Sequence, residues 1–328
     1  GTDQAAEVRV RLTLIHFKPY PGTRKEIDLV TGIAPVFRLD PATGAPSLIG
    51  TGFWVTQKGH LITALHVVQE NIGIDGVDQG PIFAIQTCSD RSVIIRNFRK
   101  SDMHPEFDLA LSETITAPPL TEHSTMPIAM TLDVLSVGDP VFSFAVLDDV
   151  QRFHDEQLPG HTVFNFVGEL QSDLDAGKSS IKFAIRLCFG YVKEIFKEMR
   201  DSVIMPFPCI QSDVPIYGGN SGGPLFDIRG RICAIHSTSF EGNDISYHLP
   251  IEGVLDLTLR AQSIGLENIP RKKRSILELA ALQTVRFDPP ILDADRPLRS
   301  FFLWLRYAMG CLLRRERPSL EIHLAKVK

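Results

Sequence analysis

Short apolar stretches dominate the chain up to about Leu259, and Gly, Pro, Asn and Asp residues separate them. This length and spacing are typical of antiparallel barrels and sandwiches, whose strands need only about four to eight residues each. We therefore expect an all-β fold. The candidate strands are 8–15, 34–38, 52–56, 60–63, 82–87, 92–97, 109–112, 141–146, 162–170, 181–189, 223–226, 232–237 and 245–249.

Helical periodicity is sparse before Pro250. Residues 64–70 favour a short helix after a strand, and residues 192–200 fit either a helix or a strand running into a loop. Pro250 suits the first turn of a helix over 251–263, which would place Ile251, Val254 and Leu259 on one face. A further short helix is predicted at 275–283. Residues 147–178 are polar and rich in turn formers, which indicates a long insertion between strands.

The composition is that of an ordinary globular protein, with 328 residues, 44% hydrophobic and 22% charged. It excludes disordered and fibrous chains, and the length permits one large domain or two. The net charge of -5 argues against a nucleic-acid binder. It conceals a split, because residues 271–328 carry 13 Lys/Arg and 6 Asp/Glu, leaving an acidic body and a basic tail.

The five cysteines are scattered and include no C-x-x-C pair. This pattern suggests neither a disulfide framework nor a zinc site, so we expect no metal, no cofactor and a reducing compartment. The start lacks the basic and apolar pattern of a signal peptide. The longest nearly apolar run, 301–313, contains Arg306 and is shorter than the roughly 20 residues a bilayer span needs. We therefore expect a cytoplasmic protein.

The strongest local signal is the segment Gly-Gly-Asn-Ser-Gly-Gly-Pro at 218–224. A serine hydroxyl is a weak nucleophile unless a base takes its proton, and the resulting oxyanion needs N–H donors. Glycines before Ser221 permit backbone angles that let the N–H groups of Gly219 and Ser221 point into one small hole. Taken alone, the segment also fits a plain Gly-rich turn between strands.

Two further motifs supply a base and a group to orient it. His66 lies in Thr-Ala-Leu-His, and its imidazole can take and return a proton near neutral pH. Asp108 lies in Asp-Leu-Ala-Leu, before an apolar strand, where it can hold the imidazole in one tautomer. Each residue has a structural alternative, a packed histidine and a turn aspartate. The three motifs together favour one reaction.

The order His66, Asp108 and Ser221, within these motifs and after Gly-Thr-Gly-Phe at 50–53, resembles the trypsin-like (chymotrypsin-fold) serine peptidases over about residues 30–262. The resemblance implies two six-stranded β barrels with the active site between them. The residue before the serine is Asn220, whereas the digestive enzymes have an aspartate that pairs with a newly cut N-terminus. The chain is more similar to bacterial and viral members and to the high-temperature-requirement proteases, which need no such cleavage.

The resemblance also implies a substrate site. The residues at the primary pocket would be Pro215 and Ile216, so no trypsin-type aspartate is present. The strand that lines the pocket and pairs with the substrate backbone would contain His236, Ser237, Thr238 and Ser239. Glutamyl and picornaviral peptidases use a histidine at the position of His236, so we expect it to read a Glu or Gln side chain. The alternatives are an internally satisfied His236 and a small or medium apolar side chain at the cut site.

The expected organisation is a leader at 1–30, a peptidase domain at 31–266 and a basic helical extension at 267–328. The domain would comprise barrels at about 31–130 and 131–250 and a closing helix at 251–263. Segment 300–317 either packs on the barrels or binds a membrane surface or partner protein. The expected function is a serine endopeptidase acting on protein or peptide substrates, and the competing class is a pseudoprotease or interaction module that keeps the fold. No nucleic-acid partner is expected.

Overall fold

The protein is described from a computed structural model that carries side chains. The structure describes residues 9–12, 29–69, 80–89, 92–116, 124–148, 160–171, 178–240, 245–260, 273–293, 305, 308–309 and 324–325.

The first barrel is a closed ring of six antiparallel strands, in the order β2-β3-β4-β7-β6-β5. Its strands are β2 (Ile33–Leu39), β3 (Pro46–Trp54), β4 (His60–Thr63), β5 (Ile82–Thr87), β6 (Val93–Met103) and β7 (Ala110–Thr116). Helix α1 (Leu65–Gln69) follows β4 and begins at the rim of this barrel. A 3-10 turn, Leu29–Gly32, leads into β2.

The second barrel closes in the order β8-β10-β11-β14-β13-β12, with β12 pairing back to β8. Its strands are β8 (Pro140–Leu147), β10 (Lys178–Phe196), β11 (Cys209–Ser212), β12 (Pro224–Asp227), β13 (Ile232–Phe240) and β14 (Ile245–Pro250). Both barrels confirm the all-β fold class. Closure leaves no unpaired edge in either ring, so the loops at their rims are the parts exposed to a ligand.

Strand β10 is 19 residues long because it forms part of the second barrel and also part of a hairpin outside it. Its later residues form the barrel wall, and its first half pairs with β9 (His161–Gln171) in an outer hairpin. Strand β1 (Arg9–Leu12) adds to the free edge of β9. In its described part, the predicted insertion at 147–178 therefore contains β9, which is one strand of a regular hairpin.

One apolar core runs through both barrels and beyond them. It contains Phe37 and Phe53 from the first barrel, Phe144 and Phe226 from the second, and Leu279 from the segment that follows. These side chains are at most 1% exposed. Residues 276–291 therefore share the core of the barrels.

The predicted helix over 251–263 is wrong. Only Ile251–Val254 turn, as a 3-10 element, and the chain then extends into β15 (Thr258–Arg260), which pairs with β16 (Lys273–Ser275). The cause is the alternation Leu-Asp-Leu-Thr-Leu-Arg at 255–260, whose period of two fits a strand that buries Leu257 and Leu259. Asp102 of β6 fixes this strand by accepting hydrogen bonds from Thr258 and Lys273.

The predicted helix at 275–283 is confirmed as α2 (Ile276–Ala281). Ser275 caps it by accepting the Glu278 N–H, while the Glu278 side chain accepts the Ser275 N–H, which is a complete capping box. Later, β17 (Leu292–Asp293) pairs in parallel with β18 (Leu324–Ala325). Apart from Leu305, Ala308 and Met309, segment 300–317 lies outside the described residues. Among the described residues, no helix is long and apolar enough to cross a membrane.

Candidate active site

His66 and Asp108 meet at the rim of the first barrel. The imidazole Nδ1 lies 2.8 Å from Asp108 Oδ2, and the His66 backbone N–H donates to Asp108 Oδ1 at 3.0 Å. Both carboxylate oxygens therefore hold the same residue, one through its ring and the other through its backbone. With Nδ1–H directed at the carboxylate, Nε2 is the ring atom whose lone pair can accept a proton.

A tight turn before β7 presents Asp108. The N–H groups of Glu106 and Phe107 both donate to His104 Nδ1, and the His104 ring packs on the Phe107 ring at 4.8 Å between centroids. The Leu109 N–H donates to the Phe107 carbonyl at 2.7 Å. These contacts fix the backbone on both sides of Asp108 and so set the point from which its side chain reaches His66.

The second barrel contributes a third contact to the carboxylate. The Ser237 hydroxyl, on β13, donates to Asp108 Oδ2 at 3.0 Å. Asp108 is thus bonded from both barrels, and its side chain is 18% exposed against 36% for His66. Partial burial of the acid beside a more accessible imidazole strengthens their attraction while leaving the base open to a substrate.

Ser221 lies on a glycine-rich turn that precedes β12. The Asn220 N–H donates to the Tyr217 carbonyl at 3.0 Å, which closes a turn with Gly219 at its third position. Gly219 has φ +85°, the value that a type II turn requires there and that glycine adopts without strain. Among the described residues, the N–H groups of Gly219 and Ser221 have no acceptor. Two unpaired donors beside a nucleophile are what a developing oxyanion needs.

The first barrel holds this turn in place. The Thr51 N–H, on β3, donates to the Ser221 carbonyl at 2.9 Å, and the Thr51 hydroxyl donates to the Gly219 carbonyl at 2.7 Å. At Gly222, with φ +84°, a Cβ would lie 2.2 Å from Thr63 Oγ1 and 2.4 Å from the Thr51 carbonyl. The turn is therefore in direct backbone contact with β3, and the serine is positioned relative to both barrels.

The Ser221 hydroxyl donates to the Ser237 carbonyl at 3.1 Å. A hydroxyl has one proton, so in this arrangement it is not donated to His66. Rotation about the serine side chain would redirect it. Ser237 therefore contacts two of the three predicted catalytic residues, through its hydroxyl and its carbonyl.

Two segments that are predicted to line the pocket, strand β13 and the one that contains Ile216, are in contact. The Ser239 hydroxyl donates to the Ile216 carbonyl at 3.3 Å, which joins β13 to the segment that contains Pro215. Ile216 is 8% exposed, while Thr238 and Ser239 are half-buried. The Ser237 carbonyl, which accepts the Ser221 hydroxyl, connects this wall of β13 and the Ile216 segment to the predicted nucleophile.

His236 does not belong to that wall, which contradicts its predicted role as a reader of Glu or Gln. It is 1% exposed, and its ring bonds Ser143 Oγ through Nε2 and His248 Nδ1 through Nδ1, at 2.8 Å for the second. Successive side chains of a strand point to opposite faces, so with Ser237 turned toward Asp108, His236 faces the barrel interior. Burial lowers the pKa of His236 to about 3, which keeps the ring neutral.

The sequence indicated neither Thr51 nor the side-chain contacts of Asn220. The Asn220 amide lies inside the second barrel, where Val146 and Tyr217 are its partners. The contacts of Thr51 with Gly219 and of Asn220 with Val146 join residues far apart in sequence, and no local pattern marks such contacts. No group of three or more His, Cys, Asp or Glu side chains in the described part of the chain could hold a metal ion.

Comparison with known proteins identifies the family. The family model described as a trypsin-like peptidase domain matches residues 50–235. The chain is 37% identical over 222 residues to a protein of Pseudomonas putida named as a probable periplasmic serine endoprotease, DegP-like, covering 66% of the chain and 35% of that protein. A like-named protein of Hahella chejuensis is 37% identical over 221 residues, covering 66% and 36%.

Among solved structures, Deg5 is 18% identical, with a TM-score of 0.47, over 68% of this chain and 85% of that one. The matched regions span between 21% and 38% of the first DegP-like relatives. These relatives are named periplasmic, so the expectation of a cytoplasmic location is wrong. With the family model matching more than half of its residues, the chain belongs to the trypsin-like peptidase family.

Proposed function

We propose that this chain is a serine endopeptidase that acts through Ser221, His66 and Asp108. The observation that carries the proposal is the paired contact of His66 with both oxygens of Asp108, beside a glycine turn that presents Ser221 from the other barrel. An aspartate that served only as a turn former would not need a neighbouring imidazole. The family match over residues 50–235 supports the same reaction.

In the proposed mechanism, Ser221 Oγ attacks the scissile carbonyl and its proton passes to His66 Nε2. Asp108 stabilises the imidazolium through the Nδ1–H bond. The carbonyl oxygen becomes an oxyanion and accepts from the N–H groups of Gly219 and Ser221. Collapse breaks the peptide bond, and His66 protonates the departing amine. Water then hydrolyses the acyl-enzyme by the same steps in reverse order.

Substrate binding would also release the nucleophile. The Ser237 carbonyl accepts the Ser221 hydroxyl at 3.1 Å. An extended peptide pairing with residues 237–239 would offer its own N–H to that carbonyl, as a neighbouring strand does. The hydroxyl would then be free to turn toward His66. Occupation of the site by a peptide backbone is thereby coupled to activation of the serine.

We further propose an uncharged, apolar side chain at the cut site. Ile216 brings no charge to the predicted pocket, and His236, the histidine expected to read an acid, has both ring nitrogens bonded elsewhere. A carboxylate entering this site would lose its hydration without finding a charged partner. A peptide library should therefore show cleavage after Val, Leu or Ala well above cleavage after Glu, and Glu preference would contradict the assignment.

The second candidate is a binding module that keeps the fold without hydrolysis. The observation that favours it is the hydroxyl of Ser221, which donates to Ser237 and not to His66. In a binding module this hydrogen bond would persist when a peptide is bound. The two candidates therefore differ in the reactivity of one oxygen atom.

A fluorophosphonate probe separates them. Attack of Ser221 Oγ on phosphorus forms an O–P bond, expels fluoride and transfers the serine proton to His66. We expect the folded chain to be labelled and Ser221→Ala to be unlabelled, while Ser202→Ala, at an exposed serine outside the site, remains labelled. A folded wild-type chain that stays unlabelled would favour the binding module.

The domain division into 1–30, 31–266 and 267–328 remains a proposal. So does binding of a partner protein or membrane surface by segment 300–317. Liposome flotation of the full chain, compared with a variant carrying Arg314→Ala, Arg315→Ala and Arg317→Ala, tests the membrane alternative. Loss of flotation in the variant would support it.

A further inference from the structure

The side chain of Asn220 occupies an unusual place, one residue before the nucleophile and inside the second barrel. It is 1% exposed. Its Oδ1 accepts the Val146 N–H at 2.5 Å, and its Nδ2 donates to the Tyr217 carbonyl at 2.9 Å. The amide thus accepts through its oxygen and donates through one of its two N–H groups, and neither partner carries a charge.

The Val146 contact continues a sheet. Strand β12 pairs with β8 through Leu225↔Ser143 and the two residue pairs that follow it along β12. Val146 lies three residues beyond Ser143 on β8, where β12 has already given way to the glycine turn. There the Asn220 amide oxygen takes the place of a backbone carbonyl. The position of the turn is therefore set by the hydrogen-bond ladder of the barrel wall.

The Tyr217 contact fixes the shape of the turn. The Tyr217 carbonyl accepts two hydrogen bonds from Asn220, from the backbone N–H at 3.0 Å and from Nδ2 at 2.9 Å. The first closes the type II turn, and the second prevents the carbonyl from rotating. A type I turn would need Gly219 at negative φ, with the Gly218–Gly219 peptide flipped and its N–H pointing elsewhere.

We propose that Asn220 is a positioning residue that holds the Gly218–Gly219 peptide with its N–H available for the oxyanion. The amide does this without charge, so the turn needs no ammonium or other cation to pair with a buried carboxylate. The inference rests on the proposed peptidase function, since it assigns the Gly219 N–H a part in that reaction.

Replacement of Asn220 by aspartate provides a test, because pH can switch the introduced carboxyl group between its ionised and its protonated form. An ionised carboxylate still accepts from Val146, but its second oxygen faces the Tyr217 carbonyl with no hydrogen to share. When protonated, the introduced carboxyl donates to that carbonyl and restores both bonds. Burial raises the pKa of such a group, so the change falls within an accessible pH range.

The measurement is the rate of fluorophosphonate labelling of wild type and Asn220→Asp between pH 5.5 and 8.5. Because both proteins share His66, the ratio of variant to wild-type rates isolates the introduced group. We expect a ratio near 1 at the acid end and a loss of about 10-fold or more at pH 8.5, since one oxyanion donor contributes about 100-fold or more. Asn165→Asp, an exposed site on β9, should give a ratio near 1 throughout.

A ratio independent of pH would overturn the proposal, whether it stays near 1 or is low at every pH. Circular dichroism at each pH verifies that the variant is folded. If the carboxylate prevents folding, the uncharged Asn220→Ser replaces it, because its shorter side chain cannot reach both partners. That variant should then lose labelling about 10-fold at every pH, and wild-type labelling would overturn the proposal.

A second readout keeps the test independent of the peptidase function. In an amide NMR spectrum, the Gly219 resonance of Asn220→Asp should shift with pH as the turn changes, while that of Asn165→Asp stays fixed. If the wild-type chain is not labelled, the peptidase function fails, and the Gly219 resonance alone decides the role of Asn220. A resonance that does not titrate in the variant would contradict that role.

Discussion

Thr51 links the first barrel to the glycine-rich turn that carries Ser221 in the second barrel. Its hydroxyl donates to the Gly219 carbonyl at 2.7 Å, and its carbonyl accepts the Thr63 hydroxyl at 2.7 Å. Thr51 is fully buried. A substitution that removes its hydroxyl therefore leaves the part-buried Gly219 carbonyl without this donor, which weakens the hold of the first barrel on the turn.

We expect Thr51→Val to lower the labelling rate of Ser221 by about 10-fold, which corresponds to about 1.4 kcal/mol. Valine preserves the shape of threonine and removes only the donor. Thr51→Ser, which retains the hydroxyl, should stay within about 3-fold of wild type. Equal rates for the valine and serine variants would show that the hydrogen bond does not contribute.

At this scale the sequence marks the proposed catalytic residues by local motifs, whereas it does not mark the residues that support them. His66, Asp108 and Ser221 each stand in a short motif, and the structure brings His66 and Asp108 into contact. His236 was misassigned because its type suggested a role that its strand parity forbids. The face of the strand on which His236 lies depends on which of its neighbours faces the cleft. The register shift between His236 and Thr238 makes that face harder to predict from the sequence.

At the scale of elements, a buried chain of hydrogen bonds links β14, β13 and β8. The Val214 N–H donates to Ser212 Oγ, and the Ser212 hydroxyl bonds His248 Nε2 at 2.7 Å. His248 Nδ1 meets His236 Nδ1 at 2.8 Å.

The chain ends at Ser143, which bonds His236 Nε2 and donates to the Pro224 carbonyl at 3.0 Å. Because Ser143 gives its proton to Pro224, it must accept from His236 Nε2–H, and His248 must then donate to His236. Each hydrogen bond in this chain therefore has a defined donor, and both imidazole rings are neutral. A second proton on His236 would set its Nδ1–H against that of His248, and a second proton on His248 Nε2 would face the proton of the Ser212 hydroxyl.

We expect stability to fall as the pH drops below about 6.5, the ordinary histidine pKa in the unfolded chain. Burial lowers the pKa of His236 to about 3, of His248 well below its ordinary value, and of His60, beside Arg96, to about 4. Protons therefore bind the unfolded state first, and each histidine removes up to about 1.4 kcal/mol per pH unit until its folded pKa is reached.

Urea unfolding between pH 7.5 and 5 measures this slope. His161→Gln, which removes an exposed histidine on β9, should leave the slope unchanged, while His60→Gln should reduce it. A wild-type free energy of unfolding that is constant across the range would contradict the neutral network.

Element boundaries were predictable where the pattern had one period. Strands β4 and β5 have the predicted bounds, because four to six consecutive buried residues lie between clear turns. Residues 251–263 combined apolar spacings that fit a helix with an alternation that fits a strand. The partner strand at Lys273–Ser275 decided between them, and a local pattern cannot reveal that pairing.

At the scale of the whole molecule, Arg231 joins segments that are distant in sequence. Its guanidinium bonds Asp227 through Nε and Nη2 and Asp133 through Nη1 at 2.7 Å, and it donates to the Asp288 carbonyl at 2.8 Å. Its side chain is 7% exposed. Asp133 lies between the barrels in sequence, and Asp288 follows α2. One cation thus holds the linker and the C-terminal segment against the second barrel.

We expect Arg231→Leu to lower the free energy of unfolding by about 3–5 kcal/mol, because it leaves Asp227 and Asp133 without their cation. Arg229→Leu, two residues away and exposed, should change it by less than about 0.5 kcal/mol. Denaturant unfolding of the two variants measures the difference. Similar values for both would contradict the structural role of Arg231.

The burial of the cysteines explains why their number and spacing did not indicate the cellular compartment. Cys188, Cys209 and Cys233 are at most 4% exposed, and none of them is in a disulfide. Burial raises the pKa of Cys188 and Cys209 to about 11 and that of Cys233 well above its ordinary value. The thiolate is the species that attacks disulfides and peroxides, so these side chains behave as small hydrocarbons. The barrel wall itself protects these sulfur atoms from oxidants, and the protein therefore needs no reductant to keep them as thiols.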